Sequence, residues 1–280
     1  VGLGGRIELN VATQIAVSKR IGYEKPIITK VAPQPLDTAG NQSITIEGMN
    51  FGPAFAKPTI NFECDVSHQN DCQPKKQDLV CLRLNNTHGE ISCQVPQGDG
   101  FRLRTVVRVG SQTNDVASSL TTEDASVFDY DIPSITSIDP AQGPTEGIDR
   151  LVINGKNFAQ TAELSELRIT IGSWVLPSNV SGWILERDDN FIAVKVPPGV
   201  SLPEGHKVTL SVHGKTNLED IRYFYMPPVM HNITFLDIHG NYLIPPSGCA
   251  KYGIDLLESG ARICSQAAEF VVRGVNFGEQ

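Results

Sequence analysis

The most reactive side chains here are six cysteines in two groups: Cys64, Cys72, Cys81 and Cys93, then Cys249 and Cys264. Thiolates either ligate zinc or pair as disulfides, and spacing separates the two outcomes. Structural zinc sites use C-x2-C knuckles completed by further Cys or His. No two of these cysteines stand at that interval, and His68, between Cys64 and Cys72, completes no ligand set. An even count in each group lets every cysteine pair within its own stretch of chain. All six are therefore expected in disulfides, which implies an oxidising compartment. The pairing of the first group stays open. Cys81 can join Cys93 across a hairpin tip at Asn85 to Gly89, with Cys64 to Cys72. The alternative is Cys64 to Cys81 and Cys72 to Cys93. Cys249 with Cys264 would staple the last segment.

Four N-x-[ST] acceptors begin at Asn41, Asn85, Asn179 and Asn232. With the cysteines they predict an extracellular or cell-surface chain whose covalent partners are N-linked glycans. Other polar groupings read as structure. His88, His206, His213, His231 and His239 form no metal-spaced set. The pairs Glu123-Asp124 and Asp188-Asp189 lie in polar turn segments, and Asp65 to Asp71 lacks the ligand spacing of a calcium loop. Gly2-Leu3-Gly4-Gly5 has neither the Lys nor the strand-to-helix setting of a phosphate loop. Trp174 and Trp183 flank Asn179 and are expected to pack at the core and edge rather than to form a ligand platform. No catalytic residue, metal ligand or cofactor is expected. The chain does not read as an enzyme.

Composition narrows the partners. The net charge of −8 over 280 residues lacks the basic stripe that nucleic-acid binding requires. No apolar run approaches the roughly 18 residues of a membrane helix, so no direct membrane insertion is expected in this segment. Only 3 Met stand against 25 Gly and 18 Pro, a turn-rich balance that suits short strands.

The elements that must carry these residues are marked by a repeat. Gly-x-Asn-Phe occurs as Gly48-Met49-Asn50-Phe51, Gly155-Lys156-Asn157-Phe158 and Gly274-Val275-Asn276-Phe277. The spacing is about that of an immunoglobulin-like sandwich, roughly 100 residues. Each copy ends an alternating apolar strand, with Ile44 and Ile46 on one face in the first and Leu151 and Ile153 in the second. Gly suits a tight corner, Asn tolerates positive φ, and Phe can fold back as a core plug. Pro-bounded strands open each unit at Pro26, Pro133 and Pro228. Strands running into Val95-Pro96 and Val196-Pro197 follow. Closing strands then end in Phe128-Asp129-Tyr130 and Tyr223-Phe224-Tyr225. The best helix candidate, Ala162 to Leu167, is a turn or two.

In this order and repetition, the pattern resembles IPT/TIG domains, the immunoglobulin-like folds of plexins, growth-factor-receptor ectodomains and certain transcription factors. The resemblance implies an all-β chain of tandem sandwiches, with units at 26–131 and 132–226. Residues 1–25 line up with the last two strands of a unit, the second over Ser18 to Tyr23, and residues 227–280 with the front of another. Either the array continues in sequence, or neighbouring copies complete each other by strand donation. Donation would leave the middle strands unsupplied, which favours a continuing array. The expected function is a non-enzymatic, glycosylated extracellular rod of IPT/TIG domains able to assemble head-to-tail into a fibre, its partners being copies of itself or adjoining domains. The alternative is the stalk or recognition region of a receptor or adhesin.

Overall fold

A computed structural model of the chain describes residues 5–19, 22–64, 79–114, 125–177, 182–236 and 269–277. The chain packs as two compact units. One comprises Val1–Asp139, Arg150–Lys195 and His206–Arg222; the other comprises Pro140–Asp149, Val196–Gly205 and Tyr223–Gln280. The larger unit thus holds strands from both sides of the expected boundary at 131/132. Polar contacts across that boundary are described below.

The first strands, β1 (Glu8–Val11) and β2 (Gln14–Val17), form an antiparallel hairpin. Ala12, at φ 56°, turns the chain between them. The second strand therefore comes earlier than the expected Ser18 to Tyr23, whose described residues form no strand. Leu9, Val11, Ile15 and Val17 are exposed.

Eight strands follow: β3 (Ile27–Ala32), β4 (Ser43–Met49), β5 (Thr59–Glu63), β6 (Leu79–Asn86), β7 (Glu90–Gln94), β8 (Leu103–Val109), β9 (Gln112–Thr113) and β10 (Val127–Phe128). They run in the order β10-β8-β5-β6-β7-β4-β3, with β9 on β8. The continuity depends on β6. Its first residues pair with β5 (Ile60 opposite Cys81) and its later ones with β7 (Arg83 opposite Cys93). The ribbon closes on one core that includes Ile44, Ile46, Phe51, Phe62, Ile91, Leu103, Val107 and Phe128.

Cys81 and Cys93 form a disulfide where β6 changes partner, with Cα atoms 5.7 Å apart and both residues buried. A short closed loop of this kind contributes about 2–3 kcal/mol, by constraining the unfolded chain. Reduction is expected to lower the urea midpoint accordingly. An unchanged midpoint with Cys81 and Cys93 shown to be reduced would refute this. Cys64 is also disulfide-bonded, but Cys72, Cys249 and Cys264 lie outside the described residues.

Ten further strands build the next sandwich: β11 (Ser134–Asp139), β12 (Gln142–Gly143), β13 (Ile148–Lys156), β14 (Leu167–Ile171), β15 (Trp174–Val175), β16 (Ile184–Arg187), β17 (Phe191–Val196), β18 (His206–Val212), β19 (Lys215–Thr216) and β20 (Ile221–Tyr225). One sheet has the order β11-β13-β17-β16, the other β12-β20-β18-β14-β15 with β19 on β18. The expected helix is a single 3-10 turn at Leu164–Glu166. Trp174 and Trp183 are half-buried and pack on each other at 5.1 Å. Last come β21 (Val229–Leu236) and β22 (Glu269–Val275), an antiparallel pair.

The closing aromatics differ between the two sandwiches in one informative way. Tyr130 and Tyr225 donate their hydroxyls to the carbonyls of Pro96 and Pro197, at 2.9 and 2.7 Å. Two residues earlier the first sandwich has Phe128 and the second Tyr223, both fully buried. The Tyr223 hydroxyl has no hydrogen-bond partner, and burial, then Tyr225, pushes its phenol up to about 12. An orphaned buried hydroxyl costs about 1–3 kcal/mol. Tyr223→Phe is therefore expected to raise the melting temperature, whereas Tyr225→Phe, which removes a made bond, should lower it. Equal losses from both variants would contradict this.

Candidate functional site: a buried polar junction

Gly-x-Asn-Phe takes the same conformation three times. Asn50, Asn157 and Asn276 all adopt left-handed φ, at 64°, 59° and 61°. Gly48, Gly155 and Gly274 are required by crowding instead. A Cβ on each would collide with the carbonyl of Ile27, Ser134 or Val229 and with the ring of Phe51, Phe158 or Phe277. The first two copies also receive the following hairpin: Gly48 and Phe51 donate their N–H groups to Gly89 and His88, Gly155 and Phe158 to Asn190 and Asp189. Phe51 and Phe158 are 0% exposed and Phe277 is 52% exposed.

The second copy has an added task. Asn50 and Asn276 turn their amides to the carbonyls of Lys25 and Pro227. The Asn157 side-chain oxygen instead accepts the backbone N–H of Thr38, 119 residues away, at 3.1 Å. The Thr38 hydroxyl donates to Asp189, whose other short-range partner is the N–H of Ala159 at 3.1 Å. Thr38, Asn157 and Asp189 are buried. Three residues thus join the loop after β3 to the corner after β13 and the β16–β17 turn.

Beside them lies a second set, centred on Asp99. This carboxylate sits between Gly98 and Gly100 in the loop from β7 to β8 and is 0% exposed. Asp99 Oδ1 lies 2.8 Å from His213 Nε2, and Oδ2 accepts the Thr161 hydroxyl at 2.5 Å. His213 occupies the β18–β19 turn with φ 49°. Its Nδ1 is 3.4 Å from Glu166 Oε2, and its backbone N–H donates to the Glu166 carbonyl. Arg187 donates to the carbonyls of Ala159 and Ala162 at 2.5 and 2.6 Å. Burial lowers the proton affinity of its guanidinium, against the opposing pull of Asp99 and Asp189. Burial and Asp99 together hold the Tyr130 phenol well above its ordinary range.

A cleft of about 330 Å³ opens beside this set, lined among others by Phe101, Tyr130, Asn157 and His213. The Lys215 ammonium lies 4.7 Å over the Phe101 ring. An Asp–His pair next to a threonine invites comparison with a nucleophilic triad, in which the hydroxyl must face the imidazole. Here Thr161 donates to the carboxylate, and the second imidazole nitrogen faces Glu166. The constellation can crosslink loops but has no hydroxyl placed for deprotonation by His213. Among the described residues, no group of His, Cys, Asp and Glu could hold a metal ion, and no helix is long and apolar enough to cross a membrane.

Asn41 and Asn85 are both exposed. Asn85 uses its side-chain oxygen to accept the N–H of Asn86, which does not engage the amide nitrogen that would carry a glycan. Asn179 lies outside the described residues. Asn232 pairs with Arg273 in a two-stranded sheet, so its strand is an edge among the described residues. Sequence reasoning placed Asp188-Asp189 in a polar turn segment, weighed His213 only as a metal ligand, and passed over Asp99 and Thr38. It also passed over Asn114 and Asn217, buried residues whose side-chain oxygens accept the N–H of Val107 and Leu210, each at 2.8 Å. Their repeated Thr-Asn dipeptide, five residues after Val109 and Val212, was the available signal.

Paired sheets, a strand shared between layers and a repeated corner define tandem immunoglobulin-like sandwiches. The chain belongs to the IPT/TIG domain family, whose model matches residues 26–123 and 133–225, more than half of its length. The resemblance drawn from the repeat and the all-β class both hold. Among curated proteins, fibrocystin-L of Mus musculus is 29% identical over 148 residues, covering 51% of this chain and 3% of that protein. Fibrocystin-L of Homo sapiens is 24% identical over 165 residues, covering 57% and 3%. The chain thus spans about 3% of the length of these relatives. Among solved structures, the full extracellular region of plexin A4 aligns at 16% identity and TM-score 0.32, over 72% of this chain and 18% of that one.

Proposed function

We propose that the chain is a non-enzymatic segment of an extracellular or cell-surface protein, in which IPT/TIG sandwiches act as a stalk held stiff at its junction. The observation that carries this reading is the buried polar set joining Thr38 and Asp99 to Asn157, Thr161, Asp189 and His213. These fixed hydrogen-bond partners favour a single geometry at the junction over free bending. The short, Pro-containing linker Tyr130-Asp131-Ile132-Pro133 adds stiffness. The Cys81–Cys93 disulfide and the exposed Asn41 and Asn85 sequons support a secretory route.

Peptide mapping of the protein from its native source tests the location. Enzymatic deglycosylation should convert Asn41 and Asn85 to Asp, with Cys81 and Cys93 crosslinked before reduction. Unmodified asparagines together with free thiols would overturn the extracellular reading.

Head-to-tail assembly into a fibre, with glycans shielding the sides, is the second reading. It is favoured by one contrast: Leu9 and Val11 are about 60% exposed, while Leu210 and Val212, their counterparts in the second sandwich, are buried. Negative-stain microscopy of the native protein distinguishes the two. Filaments with a regular repeat would support the fibre, and discrete particles would exclude it.

A further inference from the structure

We propose that the Asn85-linked glycan covers an apolar face of the first sandwich, its first sugar residues lying along Leu82 and Leu84. The inference rests on the extracellular reading above and adds a seat for the glycan. Leu82 and Leu84 are 63% and 54% exposed, and Val80 beside them is 59% exposed. Three exposed apolar side chains along one strand form a contiguous patch, unlike singly scattered surface residues. A regular strand would not bring Asn85 to them. Successive residues face opposite sides, so Asn85 would fall on the inward side with the buried Cys81. A bulge prevents this. Arg83 is opposite Cys93 but Asn85 is opposite Ser92, which leaves Leu84 as the extra residue on β6. The bulge turns Asn85 outward onto the face of Leu82. Asn86 turns inward, where it is buried and donates its amide to the Pro53 carbonyl at 3.1 Å.

Asn85 thus stands between two kinds of surface. On its own strand lies the apolar stripe. On the next two strands lie Ser92 and Thr45, in register with it across β7 and β4. A pyranose ring presents an apolar C–H face and a hydroxyl edge, so it fits a platform with one side of each kind. Burying the stripe under that face removes apolar area from water. The second sandwich supplies the comparison. Its β16 carries the same bulge, with Ile184 opposite Val194 and Glu186 opposite Ala193. There Glu186 holds the place of Asn85 and Arg150, on β13, that of Ser43. The two meet at 2.8 and 3.1 Å across the intervening strand β17, and Leu185, the bulged residue, is only 38% exposed. The first sandwich has two short side chains, Ser43 and Asn85, in place of this strap, and one of them is a glycan acceptor.

The test uses the full chain secreted from eukaryotic cells with isotope-labelled sugars, after mass spectrometry has read occupancy at Asn85. The Asn85-linked N-acetylglucosamine should show nuclear Overhauser contacts to the methyl groups of Leu82 and Leu84. Asn85→Asp removes this glycan alone and keeps an oxygen for the Asn86 N–H. It should lower the melting temperature, and the drop should shrink when Leu82→Ser and Leu84→Ser are both present. An occupied Asn85 without those contacts, or an equal drop in both backgrounds, would overturn the cover and leave the extracellular reading intact. Association of the glycosylated chain that is lost in the serine variant would assign the face to a second copy and overturn the cover likewise. An unmodified Asn85 would overturn the proposal, and it would overturn the extracellular reading only if Cys81 and Cys93 were also free thiols.

Discussion

Gly155→Ala is expected to destabilise the second sandwich by about 3 kcal/mol, the upper end of the range for overpacking a well-filled site. The new Cβ would collide with the Ser134 carbonyl and lie 2.5 Å from Cζ and 2.7 Å from Cε1 of Phe158. Neither neighbour can give way cheaply. Ser134 is locked in the β11–β13 ladder, and Phe158 is completely buried. The Gly155 and Phe158 N–H groups also fix the corner against the β16–β17 turn, at 2.8 and 3.0 Å. Gly274→Ala makes the internal control. It meets the same obstruction from Val229 and Phe277, but Phe277 is half-exposed and its ring can move aside. Urea denaturation should show the larger loss at Gly155. A loss below about 1 kcal/mol there would show that the corner is not close-packed.

Asp99→Ala is the second large effect, at about 3 kcal/mol, because it leaves several buried polar groups without their partner, each costing about 1–3 kcal/mol. Its loss strands the His213 Nε2, frees the Thr161 hydroxyl and removes the carboxylate that offsets Arg187. That cost falls at the junction, where Asp99 accepts the Thr161 hydroxyl and pairs with His213. Unfolding followed by probes in each sandwich should separate into two transitions where the wild type shows greater overlap. Asp99→Asn, which preserves an acceptor oxygen, should lose less. The Tyr130 phenol reports on the same change: without Asp99 it should titrate at lower pH than in the wild type, since one of its two causes of elevation is gone. Coincident transitions and an unmoved Tyr130 in Asp99→Ala would place Asp99 outside the junction.

The corners were legible in the sequence because their physics is local. A glycine crowded by its own Phe three residues later, and an Asn in left-handed φ between them, leave a fixed four-residue signature. Alternation at Ile44 and Ile46, or Leu151 and Ile153, likewise marks a face that is buried. The hairpin joining Cys81 to Cys93 was legible for the same reason. The junction was not. Thr38 and Asp189 are 151 residues apart, and Asp99 and His213 are 114 apart. Nothing local distinguishes them from the solvated turn residues they resemble, since each lies in a short polar segment between strands. The early turn at Ala12 was missed for a smaller reason, because a non-glycine residue took the left-handed conformation. Tyr223 was read only as part of a closing aromatic strand. Its orphaned hydroxyl emerges only when its surroundings are compared with those of Phe128.

The central claim is that the junction makes one body of the strands on its two sides. Residual dipolar couplings of backbone amides test it most directly, taken from residues 26–64 and 79–114 on one side and from 150–177, 182–195 and 206–222 on the other. The account predicts that both sets fit a single alignment tensor in the wild type, and that Asp99→Ala requires two tensors of unequal magnitude. Two unequal tensors in the wild type itself would contradict it.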